Sequence, residues 1–133
     1  MKKIITTIIL SLFTLCSFAQ FETKITTYKN CYGRYNEYKK KYDFDEFHYA
    51  EIVFTFYEKY ITVDDIGHSL YRITETLPIR KTSNSETRSV KCLDENNKEC
   101  VFAIMSFDDG TASIGVIYDE KMFVYVIKTK NIE

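Results

Sequence analysis

The sequence predicts a mainly β protein: about eight antiparallel strands in meander order, closing into a small up-and-down, lipocalin-like barrel or splitting into a sandwich, with one short helix near residues 33–41. Three observations carry this. Eleven Tyr and ten Phe stand beside one Pro and four Gly, a composition rich in β-formers and poor in long-loop residues. Apolar and polar residues alternate with period two in stretch after stretch, the mark of a half-buried strand. Strands that follow each other so closely leave exposed edges in an open sheet, and closure removes them.

The first nineteen residues read as a secretory leader. Lys2 and Lys3 give a positive start, and Ile4 to Leu15 supply an apolar run of a dozen residues. That run is shorter than the ~20 residues a membrane-spanning helix needs. Two cuts are open. A lipoprotein cut before Cys16 puts bulky Leu15 where a small residue is required, whereas Ser17-Phe18-Ala19 places small side chains at the third and first positions before Gln20. Cleavage after Ala19 is favoured, leaving a single β domain over residues 20–133, periplasmic or secreted, with no transmembrane segment. The leader removes two of 18 basic residues and no acid, so 16 bases face 19 acids and the net charge is −3. With 114 residues, one core is the expected organisation.

In "FETKITTY", Phe21, Thr23 and Ile25 share one face and Glu22, Lys24 and Thr26 the other. The next segment breaks the pattern. Tyr28, Tyr32, Tyr35, Tyr38 and Tyr42 recur at spacings of four, three, three and four, which is helical, and this places the short helix around Gly33 to Lys41. Gly33 weakens it by ~1 kcal/mol relative to Ala. Its tyrosine face either closes one side or end of the sheet or offers Tyr35, Tyr38 and Tyr42 as a stacking surface to a sugar or peptide.

"EIVFTFY", "YITVD" and "HSLYRIT" follow as a three-stranded meander, with Asp64 to Gly67 as a turn. Pro78 ends regular pattern, and "KTSNSETRS" reads as a solvated loop. Then "SVKCL", "CVFAIMSF", "TASIGVIY" and "MFVYVIK" give four more strands. Asp109-Gly110 is the strongest hairpin signal, because a tight turn needs positive φ and Gly adopts it freely. Val101, Ala103, Met105 and Phe107 point one way in their strand, Phe102 and Ile104 the other, so that strand is expected to be covered on both faces.

Few residues suggest chemistry. Cys31, Cys92 and Cys100 survive leader removal. An odd loop centred on Glu95-Asn96-Asn97 puts Cys92 directly opposite Cys100, where a cross-strand disulfide fits; an even loop at Asn96-Asn97 offsets the sulfurs. No short-spaced ligand pair indicates a metal. His68 beside Asp64 and Asp65 reads as turn chemistry, and His48 as a polar strand edge. There is no nucleophile elbow, phosphate loop or HExxH, so neither a catalytic set nor a cofactor is assigned. The one basic run, Lys39-Lys40-Lys41, is flanked by Glu37, Asp43, Asp45 and Glu46, a solvated mixed-charge surface that argues against a nucleic-acid partner.

The leader ending in "AQ", the aromatic N-terminal third, "KYITVDD" with "HSLYRI" and the closing series from "KCLDENNKEC" together resemble a group of short, uncharacterised, exported β-rich proteins of Bacteroidota. The resemblance implies an exported β-domain and transfers no activity. The expected role is therefore non-enzymatic binding of a small molecule or an envelope protein. The alternatives are an envelope-polymer hydrolase using Asp43, Asp45 and Glu46, or a structural envelope component.

Overall fold

A computed structural model describes residues 23–128; the leader, with Cys16 and Ala19, lies outside the described residues. Among the described residues ten strands form: β1 (Thr23–Asn36), β2 (Lys41–Phe44), β3 (His48–Phe56), β4 (Tyr60–Asp64), β5 (His68–Thr76), β6 (Arg80–Lys81), β7 (Ser85–Leu93), β8 (Glu99–Phe107), β9 (Ala112–Ile117) and β10 (Lys121–Ile127). Every pairing is antiparallel. The order β10-β9-β8-β7-β5-β4-β3-β1 closes through β1–β10, so the sheet is an eight-stranded barrel and not a sandwich. Among the described residues no helix is long and apolar enough to cross a membrane, which does not bear on strands.

The inner faces interlock. Phe54, Ile61, Phe102 and Ile114 are essentially inaccessible. The Phe54 ring meets Phe102 at 6.2 Å and Tyr125 at 4.9 Å, and Tyr71 meets Phe102 at 4.7 Å, all edge-on, the arrangement aromatic quadrupoles prefer. These rings pack into the buried core inside the barrel. Outside, β8 to β10 carry a second apolar surface. Met105 and Met122 converge on Gly115, where a Cβ would lie 3.1–3.2 Å from their terminal methyls. Val101 and Met105 are half-buried and Ala103 is buried, so β8 has apolar side chains on both faces.

The two strands beyond the eight extend the barrel at opposite ends. Along one edge of β1, β3 pairs with residues 23–30 and β2 with residues 33–36. β2 and β3 are thus collinear halves of one partner strand, interrupted at residues 45–47. β5 and β6 stand in the same relation along β7, with the break at Leu77–Ile79 around Pro78, which has no N–H for a ladder. The stretch expected as a solvated loop, residues 81–89, therefore contains the end of β6 and the first half of β7.

The expected helix over residues 33–41 is absent; the segment is a β-hairpin. Three local features give strands a helix-like tyrosine spacing. A bulge between Thr27 and Lys29 holds Tyr28 as an extra residue and reverses which face the following residues occupy. Tyr32 consequently turns inward, packing at 5.0 Å on Phe123. Tyr35 then pairs across the hairpin with Tyr42, while Tyr38 sits in the connecting turn. The Asn36 side chain caps that turn by accepting from the Tyr38 and Lys39 amides at 3.0 and 3.1 Å, and Lys40 closes it with φ of 53°. Gly33 is needed here for close approach: a Cβ would stand 2.6 Å from the Phe44 ring.

Candidate functional site

The long hairpin of β1 and β2 rises from the barrel end that also carries the β4–β5, β7–β8 and β9–β10 turns. An open cleft of about 290 Å³ lies at this end, lined by Tyr32, Arg34, Lys98, Tyr118, Asp119, Glu120 and Lys121. Its wall is the hydrogen-bonded β9–β10 turn, joined to β1. The Tyr35 amide donates to the Glu120 carbonyl at 2.9 Å, and the Tyr118 amide donates to the Lys121 carbonyl at 2.8 Å. The β1 bulge supplies the inward aim of Tyr32 and Arg34, which share a face with Phe123 and Lys121.

Tyr118 is the floor. Its hydroxyl donates to Asp94 Oδ2 at 2.9 Å and meets the Tyr71 hydroxyl and the Cys100 thiol. Lys121 Nζ lies 5.0 Å and Lys98 Nζ 5.6 Å from the centre of its ring, within cation–π range. Burial, then the bond to Asp94, drives the Tyr118 phenol far above its ordinary pKa, so it stays a donor. Asp94 Oδ1 accepts the Asn96 and Lys98 amides, each at 2.9 Å. Partial burial pushes the Asp94 carboxyl up, but those amides, the phenol and the Lys98 charge outweigh it and hold the group below the ordinary carboxylate value.

Of the residues expected to bind, Tyr35 and Tyr42 come together and Tyr38 does not join them. Tyr35 and Tyr42 meet edge-on at 5.4 Å, with Phe44 a further 6.1 Å from Tyr42. They form an aromatic row on the outer face of the hairpin, opposite to the cleft, with Tyr35 and Phe44 42% and 48% exposed. Tyr42 reaches the cleft wall only through its hydroxyl, 3.5 Å from the Tyr118 carbonyl. Tyr38 is fully exposed at the tip.

Cys92 and Cys100 are directly opposed on β7 and β8. The loop between them has the odd length: Asp94 N–H donates to the Lys98 carbonyl at 3.0 Å, and Asn97 takes the left-handed position with φ of 60°. Both sulfurs are buried free thiols. Because Asp94–Lys98 is a hydrogen-bonded pair, Cys92–Cys100, two residues further on, is one too, and such pairs hold their side chains farther apart than the alternate pairs do. Burial, joined by the Cys100 neighbour, pushes the Cys92 thiol up to about 12, and burial pushes Cys100 up to about 11 against its bond to Tyr118. Cys31 is also buried, under β1's outer face.

The carboxylates considered for acid–base work hold the hairpin's shape. Asp43 accepts from Asn36 at 2.9 Å and pairs with Lys39 at 3.6 Å. Asp45 Oδ1 accepts the Tyr32 amide at 2.7 Å, bridging the β2–β3 break, and its other oxygen lies 3.5 Å from His48. His68 and Asp64 close the β4–β5 turn at 2.5 Å. Among the described residues no cluster of three or more His, Cys, Asp or Glu is placed to hold a metal.

Sequence reasoning missed Arg34, Lys98, Asp119, Glu120 and Lys121. They come from three separate segments, and only barrel closure brings them together. Comparison with family models, with curated proteins and with solved structures gives no match, so the functional reading rests on the site.

Proposed function

We propose that this chain is an exported, non-enzymatic binding domain of the cell envelope, of the kind found in Bacteroidota, and that it takes a small ligand in the cleft at the hairpin end of the barrel. One observation carries the reading. Aromatic rings pack edge-on inside the barrel, whereas one end opens into a concave cleft where charged side chains converge beside two tyrosine rings, and the mouth of a β-barrel is a recurrent place for small ligands. Export is supported by the leader pattern and by the Ser17-Phe18-Ala19 cut before Gln20.

A second reading has its own support. The outer row of Tyr35, Tyr42 and Phe44 is an exposed aromatic strip on a projecting hairpin, a surface that suits an envelope protein partner.

The test is a two-dimensional amide NMR titration of the protein against sugars, amino acids and nucleosides. Shifts confined to residues 32–34, 98 and 118–121 are expected for at least one class. A panel that leaves those amides unmoved overturns cleft binding. Export is checked by mass spectrometry of the mature chain. An N-terminus at Gln20 is expected, and a diacylglycerol on Cys16 overturns the soluble form.

A further inference from the structure

We propose that the cleft ligand is a polyhydroxylated carboxylate the size of one sugar ring, a hexuronate. This rests on the cleft-binding reading and deepens it. Three cations, Arg34, Lys98 and Lys121, surround the cleft. Among the ion pairs of the described residues, none joins these three to a carboxylate. Lys98 and Lys121 rest on the Tyr118 ring instead, with Lys98 also within the field of the Asp94 carboxylate, and a cation so placed still has donors for an anion. Arg adds a planar fork that matches a carboxylate bidentately.

The remaining groups narrow the class. Asp119 and Glu120 line the same cleft, also outside those ion pairs. They oppose a ligand that is anionic all over, such as an acidic peptide, but they accept hydrogen bonds from hydroxyls. A uronate presents one carboxylate to the cations and a ring of hydroxyls to the acids. Tyr32, braced at 5.0 Å by Phe123, offers a ring edge and face to the sugar's C–H surface. A cleft of about 290 Å³ lies at the small end of the ~300–1,000 Å³ of drug-sized sites. It has room for one ring, and its open mouth leaves space for the rest of a polysaccharide.

The experiment titrates the protein with galacturonate, glucuronate, methyl galacturonate ester, galactose, N-acetylglutamate and a short oligogalacturonide, following the amides of residues 32–34, 98 and 118–121. At least one free uronate is expected to move them, with affinity about tenfold above its ester or neutral counterpart. Arg34→Gln and Lys121→Gln are each expected to weaken it while leaving the rest of the spectrum unchanged. Tighter binding of the oligomer than of the monomer identifies a polymer end as the source; equal binding identifies the free acid. Galactose or ester binding as well as the uronate overturns the acid class but keeps the cleft as a ligand site. Preference for N-acetylglutamate overturns the sugar. If none of these compounds moves the cleft amides, the uronate proposal falls, while the broader panel above decides cleft binding separately.

Discussion

At the scale of single residues, the Tyr118–Asp94 contact ties the cleft floor to the β7–β8 loop. The Asp94 carboxylate takes two amides and one phenol, so it acts as the hub of a loop that also presents Lys98. Removing the phenol with Tyr118→Phe leaves Asp94 Oδ2 to water and is expected to lower stability by about 1.5 kcal/mol, the low end for a hydrogen bond to a charged group, read as a lower urea midpoint at neutral pH. The pH response has a definite sign. The Asp94 carboxyl titrates lower when folded than when unfolded, so its contribution is present above the ordinary value of 3.8 and fades as pH falls through the lower folded value. Tyr118→Phe relaxes that depression. The variant should therefore lose less of its midpoint between neutral pH and about pH 3 than the parent. Equal losses would show that the phenol does not bear on the carboxylate.

At the scale of elements, the turns decide what the alternating pattern leaves open. Two hairpin loops share one design, three residues with the last in the left-handed region: Asn97 with φ of 60° and Gly110 with φ of 90°. Gly110→Ala should cost about 1 kcal/mol or more, because Ala resists that backbone. Lys40, at φ of 53° in the β1–β2 turn, is the reverse case. Lys40→Gly should raise stability by about 0.5–1 kcal/mol, whereas Asn97→Gly should change little, since Asn tolerates this region. Thermal melts of the three variants test the ordering. These same elements mark what the sequence made legible. Strand β4 matches its expected limits, Tyr60 to Asp64, and β8 to β10 lie within a residue of where the sequence put them, because each is a short β-branched and aromatic run bounded by turn residues. The β1–β2 hairpin was hidden, since a bulge at Tyr28 and a turn at residues 37–40 combine into a helix-like spacing of tyrosines. The loop between Cys92 and Cys100 left two registers open, and the Asp94 hydrogen bonds select one. The cleft was not legible at all: Arg34, Lys98 and Lys121 carry no mutual spacing, Lys98 and Lys121 meet over Tyr118 through the β8–β9–β10 meander, and Arg34 joins them only when β10 closes on β1.

At the scale of the whole molecule, closure encloses a set of weak acids. Cys92, Cys100, Tyr71, Tyr118 and Tyr125 all lie buried or half-buried inside the barrel, and every one is shifted upward, mainly by burial. A neutral thiol or phenol fits this interior; its anion does not. For each group the folded value exceeds the unfolded one. The stabilisation is thus complete below the unfolded value, 9.0 for the thiols and 10.0 for the phenols, and is lost as pH rises through the folded value, about 11 for Cys100 and about 12 for Cys92. The protein should therefore hold a constant urea midpoint from neutrality to about pH 8.5 and fall steeply above about pH 9. Thiol reagents should report the same barrier, modifying Cys92 and Cys100 slowly in the folded barrel and rapidly once urea opens it. A Cys100→Ala variant separates the thiol share from the phenols. It starts from a lower midpoint because the side chain is 3% exposed and packed, but it should decline less between about pH 9 and 11. A parent profile that stays flat through this window, or thiols that react at the unfolded rate under native conditions, would mean that the barrel does not hold these five groups out of water.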